Sequence, residues 1–495
     1  MHNILEIQAS EGRDLRDILF EQGVEFPCGG ESLCGGCRIQ VIEGEIPITA
    51  EMREALTERE LAEGWRLGCQ ARCRGRVRIA VGQWSAEVLS DETRVPFEPG
   101  AGWGAAIDLG TTTLVVQLVD LATGEVEAVR TALNPQARHG ADIMTRVQFE
   151  LERPGVLTRL IRETLGAMLE DAAAGRAVEE VLVVGNTVMH HLFCSTDVEP
   201  LASVPFRSPA LAARRFESAE LGWNAAVKGG VEFLGCIGGF VGSDLAAGLV
   251  ATGFLESDRE QVLMDLGTNG EIAAGCCRGI RCASTAAGPA FEAGRIAKGM
   301  RAAAGAIDGV EIVDGALRAH VIGGGRAAGI CGSGLVDAVA AALDLEMVEA
   351  AGRVKTADRR IRLADEVWLT QGDIRELQLA KGAVAAGLEI LDGNGARDIH
   401  LAGAFGNCVR AESARRIGLL PERARSIHAA GNTALRGARM LLLAPSRRDE
   451  ILAQLTAIAS HVELHADPLF QDRYVDSMAF PGSAARPLPS VAARK

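Results

Sequence analysis

Two stretches of the chain share one pattern of hydrophobic and polar positions. Each begins with an apolar strand that ends in the tetrapeptide Asp-Leu-Gly-Thr, at 108–111 and again at 265–268, and each continues into a second apolar strand. In both, a third strand follows a short turn, and a helical stretch over 156–173 or 374–391 leads to a further strand with glycine at its exit. The repeated order of elements predicts a duplicated α/β fold.

The duplication predicts where the two halves begin and end. We place a first lobe at 104–255 and a second lobe at 256–478, and the greater length of the second half predicts an insertion near 301–362. The Pro- and Ala-rich end over 479–495 is typical of a loose tail.

A smaller unit precedes the duplication. Positions 4–7 alternate like a strand, 14–22 has the pattern of a short helix, and 39–42 returns as a strand before a Glu-Gly-Glu turn. This order predicts a small β-grasp domain over 1–82. Proline and glycine interrupt the periodicity over 83–103, which predicts a linker. The chain is therefore expected to be an α/β multidomain protein.

Composition and charge narrow the class of protein. Hydrophobic residues make up 48% and charged residues 23% of the chain, as in ordinary soluble globular proteins. No apolar run approaches the ~18–20 residues that cross a bilayer, and the N-terminus lacks the pattern of a secretory signal, so we expect a cytoplasmic protein without a membrane partner. The net charge of −14 argues against nucleic-acid binding, which needs a basic surface.

The first cysteines have the spacing of an iron-sulfur site. Cys28, Cys34 and Cys37 read C-x5-C-x2-C in a glycine-rich loop, and Cys69 follows later in the chain. A loop that wraps a cluster must turn tightly and direct backbone N–H groups at sulfur, which glycine permits. A structural zinc site is the alternative, although the long first gap and the glycines favour a cluster. Disulfides are not expected among the twelve cysteines, because the chain is large and shows no signal peptide.

Residues 1–82 resemble the 2Fe-2S ferredoxin family. The first gap is one residue longer than the plant-type spacing and is closer to the adrenodoxin-like variant. The resemblance implies a 2Fe-2S cluster held by the three cysteines of the loop and a fourth. Cys69 is preferred as the fourth, because the Arg-Leu-Gly-Cys-Gln sequence around it resembles the return segment of the family, and Cys73 is the alternative.

The two Asp-Leu-Gly-Thr turns have the chemistry of a phosphate site. Backbone N–H groups in glycine-bearing turns form anion nests, threonine hydroxyls add donors, and an aspartate at a strand end holds Mg²⁺ through water. If the two halves face each other across a cleft, one turn from each side would clamp the phosphates of a nucleotide. The alternative is a pair of structural hairpins, because Asp-x-Gly also marks ordinary turns. The occurrence of both turns in matched surroundings favours the nucleotide site.

The duplicated part, over 104 to about 478, resembles the superfamily of acetate and sugar kinases, heat-shock-70 and actin. The resemblance implies an actin-like (RNase H-like) ATPase fold that binds ATP and Mg²⁺. It places 108–113 on the first phosphate motif, 265–270 on the second and 403–406 on the adenosine motif. The site residues it implies are Asp108 and Asp265 as catalytic carboxylates, Gly110, Thr111, Thr112, Thr113, Gly267, Thr268, Asn269, Gly270, Gly403 and Gly406 as nucleotide-binding residues, and Lys381 as a further nucleotide contact, for which an exposed helical position is the alternative.

The two modules together resemble the reductive activators of corrinoid-dependent proteins, in which a ferredoxin domain precedes an ATPase of this superfamily. The resemblance rests on 134–136, 140–142, 185–191, 239–244, 329–334 and 371–375. It implies an ATP-dependent iron-sulfur enzyme that reduces the Co(II) of a corrinoid protein to Co(I), in a methyltransferase system and with an upstream electron donor. The linker is short where larger members carry a further domain, so the oligomeric state, including a homodimer, stays open.

Two other functions remain open on the sequence. One is ATP-coupled electron donation to another low-potential enzyme, such as an acyl-CoA dehydratase or reductase, although those activators usually bind their cluster within an ATPase dimer. The other is a redox-sensing binding protein in which nucleotide only regulates the affinity for a partner. ATPase turnover stimulated by a Co(II) corrinoid protein would separate the three functions.

Overall fold

The computed structural model of the chain describes residues 3–22, 24, 26, 32, 37–81, 91–140, 142–392 and 397–482. Within these residues, one four-stranded and two six-stranded sheets account for most of the strands. No helix in the described parts of the chain is both long and apolar enough to span a membrane.

The N-terminal domain is built on the four-stranded sheet, in which all neighbouring strands are antiparallel. Its strands are β1 (Asn3–Asp14), β2 (Arg38–Glu43), β3 (Trp65–Leu67) and β4 (Arg72–Val81), in the order β1-β4-β2-β3, and its helices are α1 (Arg16–Glu21), α2 (Ala50–Ala55) and α3 (Glu58–Ala62). Leu19, Ile39 and Val77 are fully buried between the helices and the sheet. The domain therefore has a hydrophobic core of its own.

The segment after this domain is fixed by charged side chains. Residues 83–90 of the predicted linker lie outside the described residues, and 91–100 forms neither helix nor strand. Asp91 is buried, and its Oδ2 accepts a hydrogen bond from Arg436 over 2.8 Å. Arg439 donates to the backbone carbonyl oxygens of Asp91 and Thr93. These contacts attach residues 91–93 to the second half of the chain.

The first six-stranded sheet has the order β7-β6-β5-β8-β10-β9. Its strands are β5 (Trp103–Leu109), β6 (Thr113–Asp120), β7 (Val126–Leu133), β8 (Val178–Gly185), β9 (Arg214–Phe216) and β10 (Val231–Phe233), and the accompanying helices are α4 (Ile143–Glu152), α5 (Val156–Ala173), α6 (Thr187–Cys194) and α7 (Ser243–Ala251). Strands β5 to β7 form an antiparallel meander, and β8 lies parallel to β5. The central strands β6 and β8 are buried along most of their length because both faces of the sheet are covered.

The second six-stranded sheet has the order β20-β19-β11-β12-β13-β21. Five of its strands repeat the arrangement of the first sheet, whereas its sixth strand, β21, lies at the opposite edge, beside β13. The strands of the second half are β11 (Gln261–Leu266), β12 (Gly270–Cys276), β13 (Gly279–Thr285), β14 (Ala306–Val313), β15 (Ala316–Val321), β16 (Gly329–Ile330), β17 (Arg360–Ala364), β18 (Val367–Thr370), β19 (Asp398–Ala402), β20 (Ser426–Gly431) and β21 (Ala459–His461). The helices are α8 (Gly332–Asp344), α9 (Gln371–Asp392), α10 (Gly403–Cys408), α11 (Ala411–Arg416), α12 (Thr433–Leu442), α13 (Arg448–Ile458) and α14 (Phe470–Met478). Strands β14 to β18 form two small separate sheets between β13 and α9, in the region for which the sequence predicts an insertion.

Helices α7 and α12 join the two halves. At Gly437 in α12, an added Cβ would overlap the carbonyl oxygen of Ala247 in α7, so glycine is required for the helices to pack this closely. The core around this crossing contains Leu182 and Leu245 from the first half and Leu263 from the second, all buried. The shared core holds the carboxyl ends of β5 and β11 near each other, and the two repeated turns follow those ends.

Candidate functional sites

A cavity of about 260 Å³ lies between the two large sheets. Both Asp-Leu-Gly-Thr turns and the start of α10 line it. The sequence-predicted residues in its wall are Asp108, Gly110, Thr111, Thr112, Thr113, Asp265, Gly267, Thr268, Asn269 and Gly403. The structure thus brings together residues from both halves of the chain, and their role in binding a nucleotide stays a prediction.

The two turns have similar hydrogen bonding. In the first, the Gly110 N–H donates to the Thr113 carbonyl over 3.1 Å, and in the second the Gly267 N–H donates to the Asn269 carbonyl over 3.0 Å. The hydroxyl oxygens of Thr112 and Thr268 lie 3.3 Å apart. The tips of the two hairpins therefore meet at the cavity.

Two asparagine side chains hold the first turn in place. Asn134 Nδ2 donates to the Gly110 carbonyl over 2.9 Å, and Asn186 Nδ2 donates to Thr111 Oγ1 over the same distance. Asn186 is also the N-cap of α6, because its side-chain oxygen accepts from the Met189 N–H over 3.0 Å. Both asparagines are buried, so the position of the turn is set by the core of the first half.

Four carboxylates lie together in the cavity wall: Asp108, Asp244, Asp265 and Glu271. Burial raises the pKa of Asp108 to about 6, although Asn432 Nδ2 donates to its Oδ2 over 2.8 Å. Burial, and then repulsion by neighbouring aspartates, raises the pKa values of Asp244 and Asp265 to about 7. The pKa of Glu271 is raised well above its usual value, first by burial and then by the charges of Asp244 and Asp265.

This group of acids fits a bound cation. A cation near the four carboxylates would stabilise their ionised forms, and Mg²⁺ prefers oxygen ligands and keeps several of its waters. No three His, Cys, Asp or Glu side chains among the described residues are placed to hold a metal ion directly. The arrangement is thus compatible with the expectation that aspartates hold Mg²⁺ through water.

Gly403 contacts the carboxylate of Asp265. The residue has φ +79°, and an added Cβ would lie 2.6 Å from Asp265 Oδ1 and 2.9 Å from the Leu266 carbonyl oxygen. Both the left-handed backbone and the close approach require glycine here. Gly403, the first residue of the motif at 403–406, therefore lies close to the second turn and also lines the cavity.

Two of the predicted glycines lie outside the cavity wall. Gly270 begins β12, and its carbonyl accepts from Thr285 Oγ1 over 3.1 Å. An added Cβ at Gly406 would be 3.2 Å from the backbone of Leu401, so this glycine serves the packing of α10 on β19. Neither residue is part of the cavity wall described above.

Lys381 is also outside the cavity wall, and its side chain is buried, so the alternative of an exposed position is wrong. Its side chain is 1% exposed, and Nζ donates to the Ala479 carbonyl over 2.5 Å and lies 5.2 Å from the centre of the Phe480 ring. Burial lowers its pKa to about 8. Helix α9 packs against α14, so Lys381 faces the segment that follows α14 rather than the cavity.

Several cavity residues are not apparent from the repeat. Glu292 accepts hydrogen bonds from Thr268 Oγ1 over 2.7 Å and from Thr112 Oγ1 over 3.4 Å, so one carboxylate contacts both turns. Asp244 and Asn432 belong to segments outside the two turns. Two of the cavity carboxylates had a signal in the sequence. Asp244 ends the motif at 239–244, in the order Gly-Ser-Asp, and Glu271 directly follows the second turn.

Two of the four predicted cluster cysteines are described, and they lie together. Cys37 and Cys69 are both buried, and the Cys69 N–H points at Cys37 Sγ over 3.4 Å. The Gly68 N–H donates to the Cys37 carbonyl over 2.7 Å. Ser32 Oγ lies 3.5 Å from Cys69 Sγ. Backbone N–H groups directed at sulfur stabilise thiolates, so these residues fit a cluster.

The other two predicted ligands, Cys28 and Cys34, lie outside the described residues. The alternative fourth ligand, Cys73, is buried in β4, and its Sγ donates to the Gly75 carbonyl over 2.7 Å. The Cys69 N–H, in turn, lies 3.4 Å from Cys37 Sγ. The geometry therefore favours Cys69 as the fourth ligand.

Family models match nearly the whole chain. Residues 3–74 match the 2Fe-2S iron-sulfur cluster binding domain, 103–257 match the RACo middle region, and 260–492 match the C-terminal domain of RACo, the ASKHA domain. The matches confirm the expected fold class, a ferredoxin domain followed by an actin-like fold. They also confirm a 2Fe-2S centre for the N-terminal domain.

Two curated relatives and one solved structure are similar over most of their length. The corrinoid activation enzyme RamQ of Eubacterium limosum is 32% identical over 419 residues, which cover 76% of this chain and 70% of the relative. The Co(II) methylated amine-specific corrinoid protein reductase of Methanosarcina barkeri is 30% identical over 420 residues, covering 76% and 77%. A structure of a reductive activator for corrinoid, iron-sulfur protein superposes with a TM-score of 0.69 at 25% identity, covering 96% of this chain and 97% of that one.

Proposed function

This chain belongs to the family of reductive activators of corrinoid proteins, and we propose that it couples ATP to the one-electron reduction of a corrinoid protein from Co(II) to Co(I). The main support is the contact between Thr112 and Thr268, whose hydroxyls meet at 3.3 Å in a cavity that also contains Asp108 and Asp265. Two turns that are far apart in the chain meet where a triphosphate would need donors from both sides.

The N-terminal domain holds the redox centre. We propose Cys28, Cys34, Cys37 and Cys69 as its ligands, with the Cys69 N–H stabilising the Cys37 thiolate. When bound, a 2Fe-2S cluster transfers one electron at a time, which matches the change from Co(II) to Co(I). An upstream electron donor must return the domain to its reduced form after each turnover.

The two turns bind the phosphates of ATP in this proposal. Their backbone N–H groups and the hydroxyls of Thr111, Thr112 and Thr268 donate to phosphate oxygens. Asp108 and Asp265 hold Mg²⁺ through its waters, which compensates the repulsion between phosphates and carboxylates. The shared core at α7 and α12 keeps both turns directed into one cavity while the lobes move.

The role of ATP follows from the direction of the electron transfer. Reduction of Co(II) corrinoid is uphill for a ferredoxin-type donor, so a source of free energy must be coupled to it. Nucleotide supplies that energy only if it changes the relative affinity of the chain for the two oxidation states of its partner. We propose that closure of the lobes over the nucleotide makes this change. The partner is a corrinoid protein of a methyltransferase system, in which Co(I) is the methyl acceptor.

Anaerobic absorbance spectroscopy of a Co(II) corrinoid protein tests this function. With a catalytic amount of the reduced, cluster-loaded chain and excess reductant, we expect repeated turnover to Co(I) only when MgATP is present. An Asp265→Ala variant should keep its cluster absorbance and lose the repeated turnover. Catalytic reduction by this variant without nucleotide would refute the coupling to ATP.

The same assay addresses the two alternative functions. A redox-sensing binding protein would change its affinity for the corrinoid protein without turnover, and an electron donor to another enzyme would show no ATPase stimulation by the Co(II) protein. Stimulation of ATP hydrolysis by the Co(II) form, and not by the Co(I) form, supports the proposed function.

A further inference from the structure

The N-terminal domain contacts both lobes, and the two contacts differ in kind. On the side of the first lobe, Leu133 packs against the core of the domain, and the Arg138 guanidinium lies 5.1 Å from the centre of the Phe20 ring. On the side of the second lobe, Lys298 Nζ lies 3.1 Å from Glu60 Oε1. The first contact is apolar and aromatic, whereas the second consists of ion pairs. The Arg59 guanidinium also lies 3.8 Å from Glu366 Oε1, but both of those side chains are exposed, so Lys298–Glu60 is the shorter and more buried pair.

The ion pair is held firmly on the side of the N-terminal domain. Glu60 Oε1 also accepts from Arg38 over 2.6 Å, and its Oε2 accepts from the backbone N–H and the hydroxyl of Thr57 over 2.8 and 2.9 Å. Glu60 is therefore part of a capping box at the start of α3. Arg38 shares Glu60 Oε1 with Lys298 and directly follows Cys37 in the chain, so the ion pair is linked to a proposed cluster ligand through Arg38.

On the other side, Lys298 belongs to a segment that reaches the nucleotide cavity. The Lys298 carbonyl accepts from the Ile330 N–H over 2.8 Å, and the Met300 N–H donates to the Ile330 carbonyl over 2.9 Å. Met300, Arg301 and the following Ala302 line the cavity. A change in the position of this segment on nucleotide binding would thus be transmitted to Lys298 over two residues.

A domain attached to both lobes responds to any movement of one lobe relative to the other. If the lobes rotate, the two contacts cannot both keep their geometry. The apolar contact tolerates small shifts, whereas an ion pair between partly exposed side chains depends on distance and is exchanged readily for water. The Lys298–Glu60 contact is therefore the one expected to break.

We propose that Lys298 is a positioning residue that holds the iron-sulfur domain on the second lobe through Glu60, and that binding of MgATP breaks this contact. The N-terminal domain then keeps its apolar contact with the first lobe and loses its shorter contact with the second, and the surface next to Cys37 becomes accessible to the corrinoid protein. This inference rests on the proposed function, because it takes the cavity to be the ATP site. In this inference, nucleotide binding exposes the surface that donates the electron.

Hydrogen–deuterium exchange of the cluster-loaded chain tests the proposal, with and without MgATP. In the wild type we expect MgATP to raise exchange about threefold in peptides that cover α3. Lys298→Gln should show the raised exchange already without nucleotide and little further change. Lys298→Arg keeps the charge and should behave as the wild type, and Glu60→Gln, which keeps the capping acceptor, should behave as Lys298→Gln.

Two further measurements separate this inference from the proposed function. Lys298→Gln should bind and hydrolyse MgATP within about twofold of the wild type, because its side chain contacts Glu60 and not the cavity. If MgATP binds but exchange in α3 is unchanged or falls, or if Lys298→Gln exchanges like the wild type, the inference is wrong while the function stands. If MgATP does not bind at all, the proposed function itself fails, and the nucleotide control of Lys298 fails with it.

Discussion

The hydroxyl oxygens of Thr112 and Thr268 lie 3.3 Å apart, although 156 positions separate the two residues in the chain. The carboxylate of Glu292 accepts a hydrogen bond from each of them. A phosphate group that enters between the turns needs the same two donors. Under the proposed function, Glu292 therefore competes with phosphate for these two donors.

Replacement of Glu292 by glutamine should tighten nucleotide binding. Glu292→Gln removes a negative charge beside the phosphates and weakens the competing acceptor, while the size of the side chain is kept. We expect the Kd for MgATP to fall about fivefold, which corresponds to ~1 kcal/mol. Titration with a fluorescent ATP analogue measures this effect, and a weaker or unchanged affinity would show that Glu292 does not compete with phosphate.

The choice of fourth cluster ligand can be tested by a matched pair of substitutions. Cys69→Ser should lose most of the bound iron after anaerobic reconstitution, because Cys69 lies beside Cys37, with its backbone N–H directed at Cys37 Sγ, and serine is a poor replacement for a thiolate ligand. Cys73→Ser should keep it, because a serine hydroxyl can also donate to the Gly75 carbonyl. Iron and sulfide content and visible absorbance are the measurements. The opposite outcome for the pair would assign the ligand to Cys73.

The carboxylates of the cavity predict how stability depends on pH. The pKa values of Asp244 and Asp265 are about 7 in the folded chain, above the usual 3.8. Between these values the folded chain binds more protons than the unfolded chain, so the free energy of unfolding falls as pH rises towards 7 and above. In EDTA we expect a lower melting temperature at pH 8 than at pH 6, by roughly 2–4 °C for each kcal/mol lost. Mg²⁺ should reduce the difference.

Asp244→Asn provides the control for this pH effect. Asparagine keeps an acceptor for the Leu245 N–H, which Asp244 Oδ1 binds over 2.8 Å, but it does not titrate. The variant should lose less stability than the wild type between pH 6 and 8. Equal pH dependence in thermal melts of the two proteins would contradict the assignment.

Gly403 should be needed for nucleotide binding, beyond its cost to the backbone. Gly403→Ala places a methyl group 2.6 Å from Asp265 Oδ1, whereas the control Gly253→Ala has a similar φ of +73° with no atom nearer than 3.9 Å. Gly253→Ala should lose about 1–2 kcal/mol of stability through its left-handed backbone, and Gly403→Ala should lose more, because its methyl group also meets the Leu266 carbonyl oxygen. Only Gly403→Ala should raise the Kd for MgATP, by about tenfold, because it displaces the carboxylate. Equal affinities of the two variants for MgATP would show that Gly403 is not part of the nucleotide site.

Lys381 should affect stability and not nucleotide binding. Lys381→Met removes the donor to the Ala479 carbonyl, so the melting temperature should change. The Kd for MgATP should stay within about twofold of the wild-type value, because the side chain lies outside the cavity wall. A large loss of affinity for MgATP in a folded Lys381→Met variant would show that Lys381 does contribute to nucleotide binding.

Short-range patterns determined much of this architecture from the sequence alone. The Asp-Leu-Gly-Thr turns, the order of strands and helices in each half and the spacing of the first cysteines are all read within a few residues, because backbone hydrogen bonds and turn geometry are local. The resemblance of the two modules to known families then implied the fold, which the family models confirm.

Contacts between distant segments were decided only by the tertiary structure. Glu292, Asp244 and Asn432 enter the cavity from parts of the chain without a repeated motif, and Lys381 faces α14 although its place on a helix left its direction open. Likewise, the Lys298–Glu60 ion pair joins residues 238 positions apart. The pattern of a helix or strand specifies which face is buried, but the partner of that face depends on how whole elements pack against each other.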